Sequence, residues 1–301
     1  MMNLFNDANP ECQEIFHPDF ENRKVRLFIY RLDTIHPVIS GNKLFKLYYF
    51  LNEAVDSSHK KVITYGGAYS NHLVATAFAA KQLGLESIGI VRGEQAAEKS
   101  PTLLMCLQYG MRLIFISREE YSTVQEEQYK EMVRLRYGPG VIIPEGGFHP
   151  LGTKGASLIM DTISGATHIC VPVGTATTMA GLITKANEIQ QIIGFPVLKN
   201  MTDIPSRIEK LTGSDPVNKY RIIDKYHFGG YAKSSHELIN FMNAFYTSYT
   251  IPLDFVYTAK MMFGVFSEIR AGYFPEGSKI TCLHTGGLQG NISLQKGRLV
   301  Y

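Results

Sequence analysis

Three short segments carry residue types that could do chemistry. In SGNKLFKLYYF, residues 40–50, Lys43 and Lys46 stand three apart just after a Gly-Asn pair. Ser40-Gly41-Asn42 is turn chemistry, and Lys43 starts the helix that follows. A lysine there meets the unfavourable end of the helix dipole. Held near positive charge and partly desolvated, its amine has a lowered pKa and can serve Schiff-base chemistry. The plain alternative is a solvated basic start to a surface helix.

The second segment is GTATTMAG, Gly174 to Gly181, between the apolar run THICVPV and a helical pattern. Small and hydroxyl residues at a strand–helix junction let backbone N–H groups approach an anion, and the helix dipole favours a phosphate. The segment has neither the GK[ST] of a nucleoside-triphosphate loop nor GxGxxG spacing, which leaves a small monophosphate as the guest. A tight turn with threonine caps is the other reading. The third segment is YGGAYSNH, Tyr65 to His72, again at a strand end. Ser70 and Asn71 either cap the next helix or hold a carboxylate and an aromatic hydroxyl. Together, a phosphate cup, an activated lysine and a Ser-Asn loop are the parts needed to hold pyridoxal 5′-phosphate.

Such parts need a scaffold. KVRLFIYRL, KKVITYGG, ESIGIVRG, MRLIFISR, GVIIPEGG, THICVPVG, YRIIDKY and SKITCLHTGG read as short buried strands. Helical patterns cover Ser70–Leu83, Pro101–Tyr109, Thr178–Ile193, Ser235–Tyr246 and Ala259–Gly272. Ser100-Pro101 is a helix start, and Ser122/Gln125 and Ser234/Glu237 have capping-box spacing. This alternation predicts an α/β fold with parallel sheets covered on both faces. The Gly-rich EGGFHPLGTKG, Glu145–Gly155, is the expected return point between two lobes.

The bulk numbers exclude several classes. A chain of 301 residues with 45% hydrophobic and 19% charged content is globular. A net charge of +3 and no basic stripe argue against nucleic acid or an anionic membrane as partner. Cys12, Cys106, Cys170 and Cys282 are scattered, without CxxC or a Cys/His cluster, so neither a metal site nor a disulfide framework is expected. A reducing cytoplasm fits that pattern. The first residues, MMNLFNDANPECQ, lack the basic start and apolar block of a signal peptide, and no apolar run is long enough to span a membrane.

The sequence resembles the fold-type II pyridoxal-phosphate enzymes, within them the 1-aminocyclopropane-1-carboxylate deaminases and D-cysteine desulfhydrases. The matching pieces are VRLFIYRLD, SGNKLFKL, GGAYSNH, IPEGGFHPLGTKG, VPVGTATTMAG, DFVYTAK and FPEGSKITCLHTGG, in family order from about residue 25 to 290. The resemblance implies a two-lobed architecture like that of the tryptophan synthase β chain. Residues 1–45 plus 150–301 would form the large cofactor-binding domain and 46–149 the small one. Lys43 matches the lysine that binds the cofactor covalently and moves protons. Lys46 approaches its phosphate and would help depress the pKa of Lys43. Asn71 matches the residue bonded to the ring hydroxyl, and Ser70 the one near the substrate carboxylate. Gly174, Thr175, Ala176, Thr177 and Thr178 match the phosphate loop. Tyr257 matches an active-site tyrosine, and Tyr231, in HFGGYAK, a second one in altered surroundings.

Two departures bear on activity. Thr258 stands where the deaminases carry a glutamate facing the pyridine nitrogen, as it does in D-cysteine desulfhydrases. A threonine leaves the ring a shallower electron sink, which suits β-elimination better than opening a cyclopropane. His72 replaces a glutamine and either reshapes the substrate pocket, with Ser70 and Asn71, or caps a helix; capping is the preferred reading. The N-terminal region is also shorter than is usual for the family. The expected protein is a homodimeric lyase acting on a small D-amino acid, with cyclopropane deamination as the alternative. A racemase, or a non-catalytic carrier or regulator that keeps the cofactor, is a further reading.

Overall fold

The computed structural model describes residues 10–94 and 99–301. In chain order the elements begin with β1 (Cys12–Ile15), α1 (Pro18–Asn22), β2 (Arg26–Tyr30), α2 (Lys43–Asp56), β3 (Lys61–Gly66), α3 (Asn71–Gln82) and β4 (Glu86–Arg92). Then come α4 (Pro101–Gln108), β5 (Arg112–Ile116), α5 (Arg118–Ser122), α6 (Glu127–Tyr137), β6 (Val141–Ile143) and α7 (Pro150–Ser157). The chain continues through β7 (His168–Val173), α8 (Thr177–Lys185), β8 (Gln191–Pro196), α9 (Ile204–Thr212) and β9 (Tyr220–Ile222). It closes with α10 (His236–Tyr249), α11 (Thr258–Ala271) and β10 (Lys279–Leu283).

The strands form a six-stranded sheet, β1-β2-β10-β7-β8-β9, and a four-stranded sheet, β5-β4-β3-β6. Every pairing is parallel except the edge pair β1–β2. The chain leaves the larger sheet after β2, builds the whole of the smaller one, and returns at β7. Central strands such as VITYG and ICVPV are buried along their length, as parallel strands covered on both faces must be. One apolar cluster joins the sheets, running from Val62 and Ile143 through Leu47, Phe50 and Ile159 to Val171 and Ile192. Cys106, Cys170 and Cys282 are buried free thiols, and Cys12 is exposed. Among the described residues no helix is long and apolar enough to cross a membrane.

Local chemistry sets most helix starts. Ser70 accepts a hydrogen bond from Leu73 N, Ser100 from Leu103 N and Ser235 from Leu238 N. Several expectations are corrected. Ser235, not Ser234, caps α10. Ser122 closes α5, donating to Glu119 O, because Ser117 has already capped that helix through Glu120 N. The helix expected over Thr178–Ile193 ends at Lys185, where Asn187 Oδ1 accepts from Ile189 N in a tight turn. Its last residues, Gln191–Ile193, open β8, because Ile192 and Ile193 fill the slot between β7 and β9.

The Gly-rich Glu145–Gly155 is not simply a loop. It makes one 3₁₀ turn over Glu145–Gly147 and the first turns of α7. At Gly155 a Cβ would overlap the carbonyl oxygen of Phe45, and at Gly181 it would lie 2.6 Å from Thr153 O. Their missing side chains let α2, α7 and α8 pack at backbone distance. That packing fixes the lysine helix against the helix behind the Gly174–Thr178 loop.

Candidate active site

The C-terminal ends of parallel strands from both sheets face one cleft, where open α/β sheets hold ligands. Gly66–Ser70 leaves β3, Glu145–Gly147 follows β6, Gly174–Thr178 leaves β7, and His284–Gly287 leaves β10. Lys43 enters from the first residue of α2. Gly41 makes this approach possible. Its φ is +76°, and a Cβ would run into the Thr285 carbonyl.

Lys43 Nζ lies 3.4 Å from Thr285 O and 5.6 Å from the centre of the Tyr257 ring. Lys46, only 6% exposed, donates to Gly146 O at 2.7 Å. Among the described residues neither amine has a carboxylate within ion-pairing distance. Burial lowers the Lys43 pKa to about 8, against the pull of the Asp254 carboxylate. Burial and then the charge of Lys43 lower Lys46 to about 7. Desolvation is the first cause of both shifts, and repulsion between the two amines adds to it.

The cup forms at the start of α8. Ala176 adopts a left-handed φ of 68°, which turns successive N–H groups inward at a cost accepted mainly at functional sites. Thr175 and Thr177 hydroxyls meet at 2.9 Å, and Thr175 also packs under Gly146. Thr178 is buried, with its hydroxyl accepting from Asn42 Nδ2 at 2.7 Å. Tyr257 covers the loop from the other side, with Cε1 3.2 Å from where Gly174 would carry a Cβ.

On the smaller sheet, Ser70 is the cap of α3 and is half-buried. Asn71 follows, its Nδ2 3.2 Å from the Cβ position of Gly287. His72 does not cap. Its Nε2 lies 3.0 Å from Thr64 Oγ1, whose proton goes to Ile143 O at 2.9 Å. Thr64 can therefore only accept, so Nε2 carries the imidazole proton and Nδ1 is a lone-pair acceptor. Burial, then Lys46 and Lys43, lowers this imidazole to about 3, so it is neutral.

The two tyrosines are brought together. Tyr231, 49% exposed, stands edge-on to Tyr257 with ring centroids 6.0 Å apart. Burial, followed by the Tyr231 hydroxyl, pushes the Tyr257 phenol well above its usual range, so it keeps its proton. Thr258, 0% exposed, is committed elsewhere. Its hydroxyl donates to Asp254 Oδ1 at 2.7 Å and accepts from Asp254 N at 2.8 Å. Only one lone pair of Oγ1 is left to offer a ligand.

A family model described as "Pyridoxal-phosphate dependent enzyme" matches residues 16–286. The chain belongs to the pyridoxal-phosphate dependent enzymes. A bifunctional D-cysteine desulfhydrase/1-aminocyclopropane-1-carboxylate deaminase of Arabidopsis thaliana is 32% identical over 295 residues, covering 88% of this chain and 73% of that protein. A Pyrococcus horikoshii protein provisionally named a 1-aminocyclopropane-1-carboxylate deaminase is 30% identical over 283 residues, covering 88% and 86%. Among solved structures, an ACC deaminase homologue superposes with a TM-score of 0.81 at 26% identity, covering 96% of this chain and 95% of that one. An O-ureido-L-serine synthase shares the fold, with a TM-score of 0.68 at 11% identity and coverage of 98% and 96%. The architecture is fold type II, and pyridoxal phosphate is the cofactor.

The residues of this chain fit that group. Asn42 Oδ1, Asn71 Oδ1 and His72 Nδ1 are buried without a hydrogen-bond partner, an arrangement native proteins avoid unless a ligand completes it. Buried Lys46 and half-buried Lys43, neither with a carboxylate partner among the described residues, put positive charge beside the cup. Lys46, Thr175, Thr177 and the N–H groups opening α8 would hold the phosphate. Lys43 would bind the aldehyde carbon, and Asn71 a ring substituent.

Asn42 and Asp254 carry weight that the sequence reading did not assign. Asn42 lies inside SGNK, but its partner is 136 residues away. Asp254 was legible in principle, since an aspartate just ahead of VYTAK at a helix start is a capping signal.

Proposed function

We propose that this enzyme is a lyase eliminating a β-substituent from a small D-amino acid, as a D-cysteine desulfhydrase does. The overall reaction converts D-cysteine and water into pyruvate, hydrogen sulfide and ammonia. The observation that carries the reading is Lys43: a half-buried lysine whose desolvated amine has a pKa of about 8 and faces Tyr257.

Bound pyridoxal phosphate withdraws electrons from the α-carbon of an amino acid joined to it. Ser70 and the first N–H groups of α3 bind the substrate carboxylate, as a helix N-terminus favours an anion. Asn71 and neutral His72 line the same side, His72 offering only an acceptor. Lys43 is neutral in about half of molecules near pH 8, so it can take the α-proton. Tyr257, which stays protonated, orients the amine or returns a proton, with Tyr231 beside it. Thr258 would offer the ring nitrogen a lone pair that can accept from its protonated form, but no negative charge to hold that proton as a carboxylate would, which favours elimination over ring opening. The name of the Arabidopsis relative includes both activities, so 1-aminocyclopropane-1-carboxylate deamination is the second reading.

Cofactor-loaded protein given D-cysteine is expected to release pyruvate and sulfide in equal amounts. It should release 2-ketobutyrate from the cyclic amino acid at a lower kcat/KM. No product from D-cysteine at any pH tested removes the desulfhydrase reading. Loaded protein that exchanges the α-proton of no D- or L-amino acid is a carrier or regulator instead.

A further inference from the structure

Tyr231 sits on a segment that should not hold its shape unaided. Phe228, Gly229, Gly230 and Ala232 have φ values of 51°, 88°, 115° and 53°. Two of these are non-glycine residues in the left-handed region, which persist only where surrounding contacts over-determine them. The segment is nonetheless where Tyr231 meets Tyr257.

One face of α11 supplies the restraint. Glu268, Gly264 and Lys260 recur at four-residue spacing and so share a side of the helix. Glu268 Oε1 accepts from Tyr226 OH and pairs with Lys225 Nζ, both at 2.7 Å. At Gly264 a Cβ would stand 2.8 Å from Tyr226 Cδ2, so the segment lies directly on the helix backbone. Phe228 is fastened edge-on to Phe263 at 5.0 Å. Lys260 then reaches from the start of α11 to Gly230 O, at 2.6 Å.

Lys260 is an expensive residue to place there. It is 1% exposed, and among the described residues no carboxylate lies within ion-pairing distance. Burial lowers its pKa to about 8, with Asp254 pulling it back up. A methionine would fill the same volume without the desolvation cost. What the ammonium adds is a second, shorter bond to Gly230 O, which accepts from Lys233 N at 3.1 Å within the segment but is tied to α11 by Lys260.

We propose that Lys260 is a positioning residue. By holding the Gly230 carbonyl it fixes the left-handed segment 228–232 and sets Tyr231 against Tyr257, and through Tyr257 it acts on the Lys43 site without touching substrate. The kinetic part of this inference rests on the lyase reading above; the clamp itself does not.

The test uses cofactor-loaded Lys260→Met, with Tyr231→Phe and the double variant. Without substrate, amide hydrogen exchange across 228–233 is expected to rise at least tenfold in Lys260→Met, with α10 and the bound-cofactor spectrum unchanged. With D-cysteine, Lys260→Met is expected to lower kcat about tenfold. In the Tyr231→Phe background the same change should have less than a twofold effect, because the residue acts through Tyr231. Unchanged exchange, or kinetic effects that simply multiply, overturns the inference. Should Lys260→Met not fold, Lys260→Gln, too short to reach Gly230 O, is read by the same two measurements. If wild-type protein turns over no amino acid, the lyase reading fails, and the exchange result still decides the clamp.

Discussion

Asn42 donates its side-chain amide to Thr178 Oγ1 across 2.7 Å, joining the residue before the reactive lysine to the helix that opens the phosphate cup. The bond is buried at both ends, and it leaves Asn42 Oδ1 free for a ligand. Lysine turn and cup are therefore one rigid unit. Asn42→Ala leaves Thr178 without a donor and the cup without a brace, at a cost of about 1–3 kcal/mol. The expected result is cofactor affinity weakened about tenfold or more, read by fluorescence titration of cofactor-free protein. The drop in melting temperature should be larger with cofactor than without it.

The two lysines should separate cleanly. Lys43→Ala is expected to lose the absorbance band of covalently held cofactor and all turnover while still binding pyridoxal phosphate. Lys46→Met should keep the covalent band but retain cofactor about 10–100-fold less well, the worth of a charge-assisted phosphate contact. Their pKa values add a pH signature. Both are depressed from 10.5, to about 8 and about 7, so between about pH 7 and 10.5 the folded cofactor-free protein binds fewer protons than the unfolded chain. Stability of the cofactor-free protein from these groups therefore rises with pH through that window. An anion in the cup removes the Lys46 part of this dependence by holding that amine protonated in the folded state. Sulfate, which does not titrate here, should bind at pH 8.5 with uptake of about one proton, read calorimetrically in buffers of different ionisation enthalpy. Uptake that persists in Lys46→Met would assign the proton to another group.

Asp254 organises the far wall. Its carboxylate accepts from Val256 N, Tyr257 N, Thr258 N and Thr258 Oγ1 at 3.0, 2.8, 2.9 and 2.7 Å. Burial pushes this carboxyl up, while the bonds from Thr258 and Tyr257 and the charge of His284 pull it down. Asp254→Ala should destabilise by about 3–5 kcal/mol, since several buried donors lose their acceptor at once. Thr258→Val should cost about 1–2 kcal/mol. Thr258→Glu sets a second carboxylate beside Asp254 in a dry site, so it should destabilise more than Thr258→Val, and Asp254→Asn in the same chain should restore part of the loss. Thermal melts of the four variants check this order. If wild-type protein already opens the cyclopropane ring efficiently, the electronic argument from Thr258 is wrong.

Much of the molecule was legible because it is encoded locally. Buried strands announce themselves as β-branched runs, and Ser70 and Ser100 cap their helices through atoms three residues away. The failures were also local in origin. Gln191–Ile193 reads as the tail of a helix until β7 and β9 offer it a slot. His72 reads as a helix-start residue until Thr64, on the neighbouring strand, claims its Nε2. The Gly-rich Glu145–Gly155 reads as the return point between two lobes, and only the fold adds that Phe45 needs the space at Gly155.

The sequence by itself determined which chemistry is present: a lysine after a Gly-Asn turn, hydroxyls where a strand meets a helix, and a Ser-Asn pair at another. These are properties of a few adjacent residues, fixed by turn and capping chemistry. Tertiary structure decided how that chemistry is tuned. It desolvates both lysines, commits the Thr258 proton to Asp254, leaves His72 a neutral acceptor, and lets Lys260 hold the loop under Tyr231. Desolvation depends on what the fold packs around a group, even where its partner, as for Thr258 and Asp254, stands only one helical turn away.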